Sequence, residues 1–296
     1  MYAGIEAGGT KVVCAVGTGP EDLGEPHAFP TTTPEESLAR AVAFVEQQQR
    51  LRGPVAAVGM ASFGPVGLDR SRPDYGHVTA TPKAGWSGAD VIGPLQAALG
   101  VPVGFDTDVN GAALGEHRWG AATGLGTFAY VTVGTGIGGG GMAGGMLLHG
   151  LLHPEMGHLP VRRHPRDRYA GGCPFHGDCL EGLASGPALE ARWGRPGVAL
   201  GEDTALAVDI EASYLAQLAV SITYVLSTQR IIFGGGVMKL PGLLAALRRR
   251  TGQLLHAYPD VPALRGTLED YLVEAGLGDR AGVLGAIALA EAAAPA

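Results

Sequence analysis

The spacing of apolar and polar positions changes several times along this chain, and each change marks an element. Residues 2–16 are apolar and β-branched on both sides of the break Ala7-Gly8-Gly9-Thr10-Lys11, which predicts two strands joined by a tight turn. From 34 to 51 the pattern becomes helical and rich in Ala and Glu, with Thr33 placed as N-cap and Glu36 three residues on. A buried strand at 55–60, a loop dense in Pro and Gly over 62–86, a helix near 89–99 and a strand at 101–105 follow. The polar run Asp106-Thr107-Asp108 then opens a helix over 109–117. A strand at 127–133 leads into 134–145, where eight of twelve positions are glycine. Over 151–181 the periodicity is lost while His, Cys and Pro concentrate, as in a loop held by something other than a core. Helices at 187–193 and 209–226, a strand at 230–233, the cluster Gly234-Gly235-Gly236 and further helices complete the chain; the Ala-rich tail 281–296, interrupted by Glu291, reads as a packing helix. Alternating strands and helices predict an α/β fold with a mainly parallel sheet. Because the strand-then-glycine unit recurs, the boundary between two α/β halves is placed near residue 120, giving 1–120 and 121–277.

Composition narrows the class. Glycine fills 49 of 296 positions, against about 7% in an average protein. With no three-residue period, 46% hydrophobic residues and a mean hydropathy of +0.17, the excess belongs to a folded protein rather than to collagen or a disordered chain. A net charge of −7 gives no general electrostatic reason to bind nucleic acid or an anionic membrane, so any anion must be bound locally. Arg248-Arg249-Arg250 reads as the close of a helix. The first residues lack the basic and apolar regions of a signal peptide, and three cysteines make no disulfide framework, so a cytoplasmic location is the expectation.

Three glycine turns follow strands: Gly8-Gly9-Thr10-Lys11, Gly134-Thr135-Gly136 and Gly234-Gly235-Gly236. Each reads alone as a hairpin or bulge; together they suggest backbone N–H groups open to phosphate. Neither a GxxxxGK[ST] loop nor a helix-opening GxGxxG occurs. Asp108, at a strand-to-helix junction, is either a helix N-cap or a base that accepts a hydroxyl proton during phosphoryl transfer. His158, Cys173, His176 and Cys179 supply two imidazoles and two thiols, a complete tetrahedral set for structural Zn²⁺; the alternative is a Cys173–Cys179 disulfide or two free thiols. A zinc-bound His158 has its second ring N–H fixed as a donor that can be aimed at Glu155 or at a ligand hydroxyl.

Gly4-Ile5-Glu6-Ala7-Gly8-Gly9-Thr10-Lys11, the segment 106–116, Val131-Thr132-Val133-Gly134-Thr135-Gly136-Ile137-Gly138, His153-Pro154-Glu155-Met156-Gly157-His158 and Ile231-Ile232-Phe233-Gly234-Gly235-Gly236 occur in one order over essentially the whole chain. Together they resemble the ROK family of sugar kinases, most closely its bacterial fructokinase branch. The resemblance implies a two-domain actin-like ATPase (ribonuclease H-like) α/β fold, with ATP and sugar in a cleft between domains. It also implies a helix at about 278–296 returning to the N-terminal domain, and a homodimer. Contacts to ATP and phosphate are implied for Gly8, Gly9, Thr10, Lys11, Gly134, Thr135, Gly136, Pro187, Gly234, Gly235 and Gly236. Asp108 falls where these kinases keep their base, and Gly64, Thr107, Asn110, Glu155, His158 and Glu181 fall where they contact the hexose. Glu6 falls where Mg²⁺ is held through water.

Two departures matter. The family's usual Glu-Asn-Asp-x-Asn reads Asp106-Thr107-Asp108-Val109-Asn110 here, and a hydroxyl at 107 cannot make the two hydrogen bonds of an amide. The zinc set has His176 in place of a third cysteine, as in the fructokinase branch. The segment 79–86 also resembles that branch, with Lys83 and Trp86 expected near the cleft mouth. The resulting expectation is ATP-dependent phosphorylation of D-fructose at its 6-hydroxyl. Glucose, mannose and N-acetylhexosamine are the alternative substrates. A non-catalytic sugar sensor is the alternative of another class, disfavoured because the first glycine turn begins at Gly4 with no winged helix before it.

Overall fold

The computed structural model describes residues 1–295, and the chain divides into two compact units. One holds Met1–Thr123, Leu147–Pro154 and the chain from Gly276 onward; the other holds Gly124–Met146 and Glu155–Ala275. In chain order the elements are β1 (Tyr2–Ala7), β2 (Lys11–Gly17), β3 (His27–Pro30), α1 (Pro34–Arg52), β4 (Ala57–Ser62), α2 (Gly93–Leu99), β5 (Val103–Thr107) and α3 (Asp108–Trp119). Then come β6 (Phe128–Val133), β7 (Ile137–Ala143), β8 (Met146–Leu147), α4 (Leu180–Ala184), α5 (Gly186–Trp193), α6 (Thr204–Leu226), β9 (Ile231–Gly234), α7 (Leu243–Leu255), β10 (Leu272–Glu274) and α8 (Ala281–Ala293). Residue 296, the last of the tail helix read from sequence, lies outside the described residues.

Both sheets are mixed rather than mainly parallel. Their orders are β3-β2-β1-β4-β5 and β10-β9-β6-β7-β8, with β1 antiparallel to β2 but parallel to β4, and β6 antiparallel to β7 but parallel to β9. The reason is loop length: the glycine turns after β1 and β6 are too short for the crossover that a parallel neighbour needs. The short strands β3, β8 and β10 carry no sequence signal of their own.

In the first unit, glycine is the price of close packing. Residues Ala281–Ala290 of α8 are all buried, and the helix lies directly on β1, β4 and β5. A Cβ built on Gly59 falls 1.8 Å from the Ala286 carbonyl oxygen, one on Gly104 falls 2.2 Å from that of Leu289, and one on Gly4 falls 2.7 Å from that of Val283. On the other side, a Cβ on Gly285 falls 1.8 Å from the Gly111 oxygen of α3. The Gly59→Ala protein should lose about 3 kcal/mol of stability, the upper end of ordinary overpacking, since backbone on both sides blocks relief. Denaturant unfolding checks this, and an unchanged midpoint removes the packing argument.

Local signals set the helix starts. Thr33 caps α1, its hydroxyl accepting the Glu36 N–H at 3.3 Å, while the Glu36 carboxylate turns to Arg40. The helix read at 89–99 begins only at Gly93, because the Asp90 carboxylate accepts the N–H groups of Ile92 and Gly93 in a turn of its own. In the second unit the run Gly138–Gly141 is strand, not loop. A Cβ on Gly139 falls 2.4 Å from the sulfur of Met156, and one on Gly157 falls 1.9 Å from the Ile137 oxygen. Part of the glycine excess therefore seats the 3₁₀ turn Met156–His158 against β7.

Candidate active site

Of the residues singled out from sequence, the first unit holds Glu6, Gly8, Gly9, Thr10, Lys11, Gly64, Thr107, Asp108 and Asn110. The second holds Gly134, Thr135, Gly136, Glu155, His158, Cys173, His176, Cys179, Glu181, Pro187, Gly234, Gly235 and Gly236. Each unit gathers its own set.

In the first unit the junction of β5 and α3 is built around Asp106, which is 2% exposed. Its Oδ1 accepts the Thr107 N–H at 2.7 Å and the Asn110 Nδ2–H at 2.9 Å; its Oδ2 lies 2.7 Å from His149 Nε2. Thr107, not Asp108, is the N-cap: its backbone is extended and its hydroxyl accepts the Asn110 N–H at 3.0 Å. Asp108 is half-buried and accepts the N–H of Val109 at its own Oδ1. The capping alternative for Asp108 therefore falls. Thr107 and Asn110 are buried, at 1% and 0% exposure, and their hydroxyl and amide are engaged in this turn. Gly64 sits against the ring of His153, whose Nε2 accepts the Val66 N–H. Burial holds the His153 pKa below its ordinary value, in keeping with an acceptor nitrogen.

The turn after β1 is oriented by its carbonyls. The Gly8 oxygen accepts the Thr31 hydroxyl, the Gly9 oxygen accepts Lys83 Nζ, and the Thr10 oxygen accepts the Thr31 N–H. With those oxygens taken, Gly9, Thr10 and Lys11 remain exposed. Lys83 is thus an anchor of this turn. Trp86, expected near a cleft mouth, is instead fully buried in the core and donates to the Thr32 oxygen at 2.7 Å. Glu6 lies against Gly282 at the start of α8; burial raises its pKa, opposed by Lys11 and reinforced by Asp279. A carboxylate held up by burial and by a second carboxylate fits a divalent cation.

In the second unit the other glycine turns meet. Gly186 N–H donates to the Gly134 oxygen at 2.7 Å, directly before Pro187, and a Cβ on Gly235 would fall 2.4 Å from the Val133 oxygen. A Cβ on Gly136 would lie 2.7 Å from Glu181 Oε2, so a side chain there would displace the carboxylate that accepts the Ile137 N–H at 2.9 Å. Thr135 is exposed at the tip.

His158, Cys173, His176 and Cys179 converge, with their ligand atoms all within 4.8 Å of one another. Sγ to Nδ1 distances are 3.7 Å for Cys173–His158, 3.7 Å for Cys173–His176 and 3.5 Å for Cys179–His158. A zinc tetrahedron has S···N edges of about 3.6 Å, which these three separations match, so the donor set fits the metal. The thiols are free, which removes the disulfide alternative. His158 points Nδ1 at the thiols and Nε2 toward Glu155, 3.9 Å from Oε2. Burial first, then the Glu181 charge, raises the pKa of Glu155.

A second clamp on the irregular segment has no sequence signature. Arg192 on α5 bonds Asp167 through Nε and Nη2 at 2.9 and 3.0 Å and Glu211 on α6 through Nη1 at 3.0 Å, with all three side chains buried. Tyr214 donates to Asp167 at 2.6 Å. Burial pushes Glu211 up to about 8, against the opposing pull of Arg192. Asp106, His149, His153 and this clamp were all missed in the sequence; only the His-rich composition of the 149–164 region hints at the two histidines.

The ROK family model matches residues 2–293. A fructokinase of Zymomonas mobilis is 47% identical over 99% of this chain and 97% of its own, and one of Streptococcus mutans is 40% identical over 98% and 97%. Among solved structures, a ROK hexokinase from Thermus thermophilus superposes with a TM-score of 0.77 at 29% identity, covering 98% of each chain. The two mixed sheets and their helices accordingly form the actin-like ATPase fold. With the pattern matched from the first strand to the last helix, this chain belongs to the ROK family.

Proposed function

We propose that the chain transfers the terminal phosphoryl group of ATP to a hexose, D-fructose, giving fructose 6-phosphate. The carrying observation is the division of labour at β5–α3: Thr107 supplies the N-cap, and the half-buried Asp108 carboxylate beside it serves as the base for the 6-hydroxyl proton. The identity to fructokinases over nearly the whole length supports the sugar. The turns at Gly8–Lys11, Gly134–Gly136 and Gly234–Gly236 hold the phosphates through backbone N–H groups, and Pro187, which has none to donate, lines the ATP site at the start of α5. Glu155, His158 and Glu181 bind sugar hydroxyls, with weaker parts for Gly64, Thr107 and Asn110. Mg²⁺, held through water with help from Glu6, neutralises phosphate charge when bound. Structural Zn²⁺ on His158, Cys173, His176 and Cys179 fixes the ring of His158.

A cytoplasmic homodimer accompanies this reading. The exposed Tyr224, Val225, Leu254 and Tyr258 at the ends of α6 and α7 are the apolar surface that a second copy would cover. ATP-dependent turnover on fructose, glucose, mannose and N-acetylmannosamine tests the substrate: kcat/KM for fructose should exceed that for glucose by about tenfold or more. Glucose ahead by the same factor overturns the choice of sugar, and a monomer in light scattering removes the dimer.

A further inference from the structure

The segment Leu147–Pro154 leaves β8 and lies in the first unit, where two bonds pin it to the β5–α3 junction. Asn110 Nδ2 donates to the Leu148 oxygen at 3.3 Å, and His149 Nε2 meets Asp106 Oδ2 at 2.7 Å. Both partners fall within the five residues that contain Asp108. The two members of the His149–Asp106 pair differ sharply in exposure, with the imidazole 43% exposed and the carboxylate 3%. One edge of the ring is therefore fixed from inside while the rest faces outward. A buried carboxylate is costly unless its lone pairs are used, and Asp106 satisfies them with one backbone N–H, one amide and this single imidazole. The hydrogen bond to Asp106 raises the pKa of His149, outweighing burial, so the ring is a cation nearer neutrality than an ordinary histidine. Burial lowers the pKa of the neighbouring His153, in keeping with the acceptor role of its Nε2.

Beside Asp108, Asn110 spends Nδ2 on Asp106 and Leu148, and the Thr107 hydroxyl oxygen accepts the Asn110 N–H in the cap of α3. His149 is the group at this junction that combines an inward anchor with an outward N–H.

We propose that His149 is a sugar-binding residue: anchored to Asp106 through Nε2, it donates its Nδ1–H to a hydroxyl of the hexose whose 6-hydroxyl faces Asp108. The proposal rests on the hexokinase reading above for the identity of the ligand. It assigns fructose recognition in the first unit to a residue 41 positions beyond the strand-to-helix junction at Asp108.

The test separates donation to sugar from mere tethering of the loop. His149→Ala removes both; His149→Gln keeps an N–H able to reach Asp106 but has no second ring donor. Fructose affinity measured by calorimetry should fall about 10- to 100-fold in both variants, the range for a charge-assisted hydrogen bond. The KM for ATP should stay at its wild-type value in both variants, and the melting temperature should stay there in His149→Gln, which keeps a donor for Asp106. Monodeoxy-fructose analogues supply the second arm: one analogue should bind the wild type as weakly as fructose binds His149→Ala, and should lose nothing further in that variant. Wild-type affinity in His149→Gln, or additive losses for every analogue, overturns the proposal. Because binding is read without turnover, a protein that binds fructose through His149 yet transfers no phosphate fails the kinase reading and leaves this one standing.

Discussion

The Asp108→Asn protein should turn over hexose about 10²- to 10⁴-fold more slowly than the wild type, the usual contribution of a positioned general base. Asparagine matches aspartate in shape and keeps the oxygen that accepts the Val109 N–H, so the local geometry survives. It cannot take up a proton as the phosphoryl bond forms. Since Thr107 supplies the cap, the melting temperature should not move, and calorimetry should show fructose still bound. Those three readouts separate the possible roles. A fall in kcat with intact binding and stability marks a base, whereas full activity would falsify the assignment. A drop in melting temperature at unchanged kcat would return Asp108 to a structural part in α3.

The second large effect is expected at the Cys/His cluster. Between Pro160 and Cys179 the chain has no regular element, and this cluster and the Arg192 clamp join the Arg162–Gln217 and Arg166–Asp209 bonds in holding it to the second unit. Elemental analysis of the purified protein should find close to one zinc per chain, and Cys179→Ser should find almost none. The zinc-free variant should melt at a clearly lower temperature, because binding to a structural site is worth up to about 10 kcal/mol or more of folding free energy. Its kinetic signature should be selective. His158 presents Nε2 toward Glu155 while Nδ1 faces the thiols, so loss of the metal frees the ring to rotate away from the sugar side. The KM for sugar should rise about tenfold or more, the scale of a lost orienting partner, with little change for ATP. Equal loss of both affinities, or none, would count against zinc as the element that aims His158.

What could be read from the sequence was local. The hairpin around Gly8 and Gly9, the cap at Thr33 and the grouping of Cys173, His176 and Cys179 each lie within a few residues of sequence. Asp108 was legible as a residue of two possible roles, and the choice against capping needed the Thr107 hydroxyl in three dimensions. The Asp106–His149 pair spans 43 residues, and the Arg192–Asp167 bond 25, so no window of sequence contains their logic. Trp86 illustrates a different failure: a loop dense in Pro and Gly gave no hint that its tryptophan turns inward to the core. Glycine was visible from the first count, yet its partners were not. Gly59, Gly104 and Gly139 look alike in the sequence, but two admit a helix and the third a 3₁₀ turn.

The glycine floor beneath α8 also sets an order on biosynthesis. Gly4, Gly59 and Gly104 emerge from the ribosome early, while the helix that covers them is encoded at Ala281–Ala293, after every residue of the second unit. During translation the strands of the first unit therefore wait with an uncovered face, whereas the second unit already has all its own residues. Truncation before residue 281 would leave that face of β1, β4 and β5 without its helix, exposing apolar surface of the kind that drives aggregation.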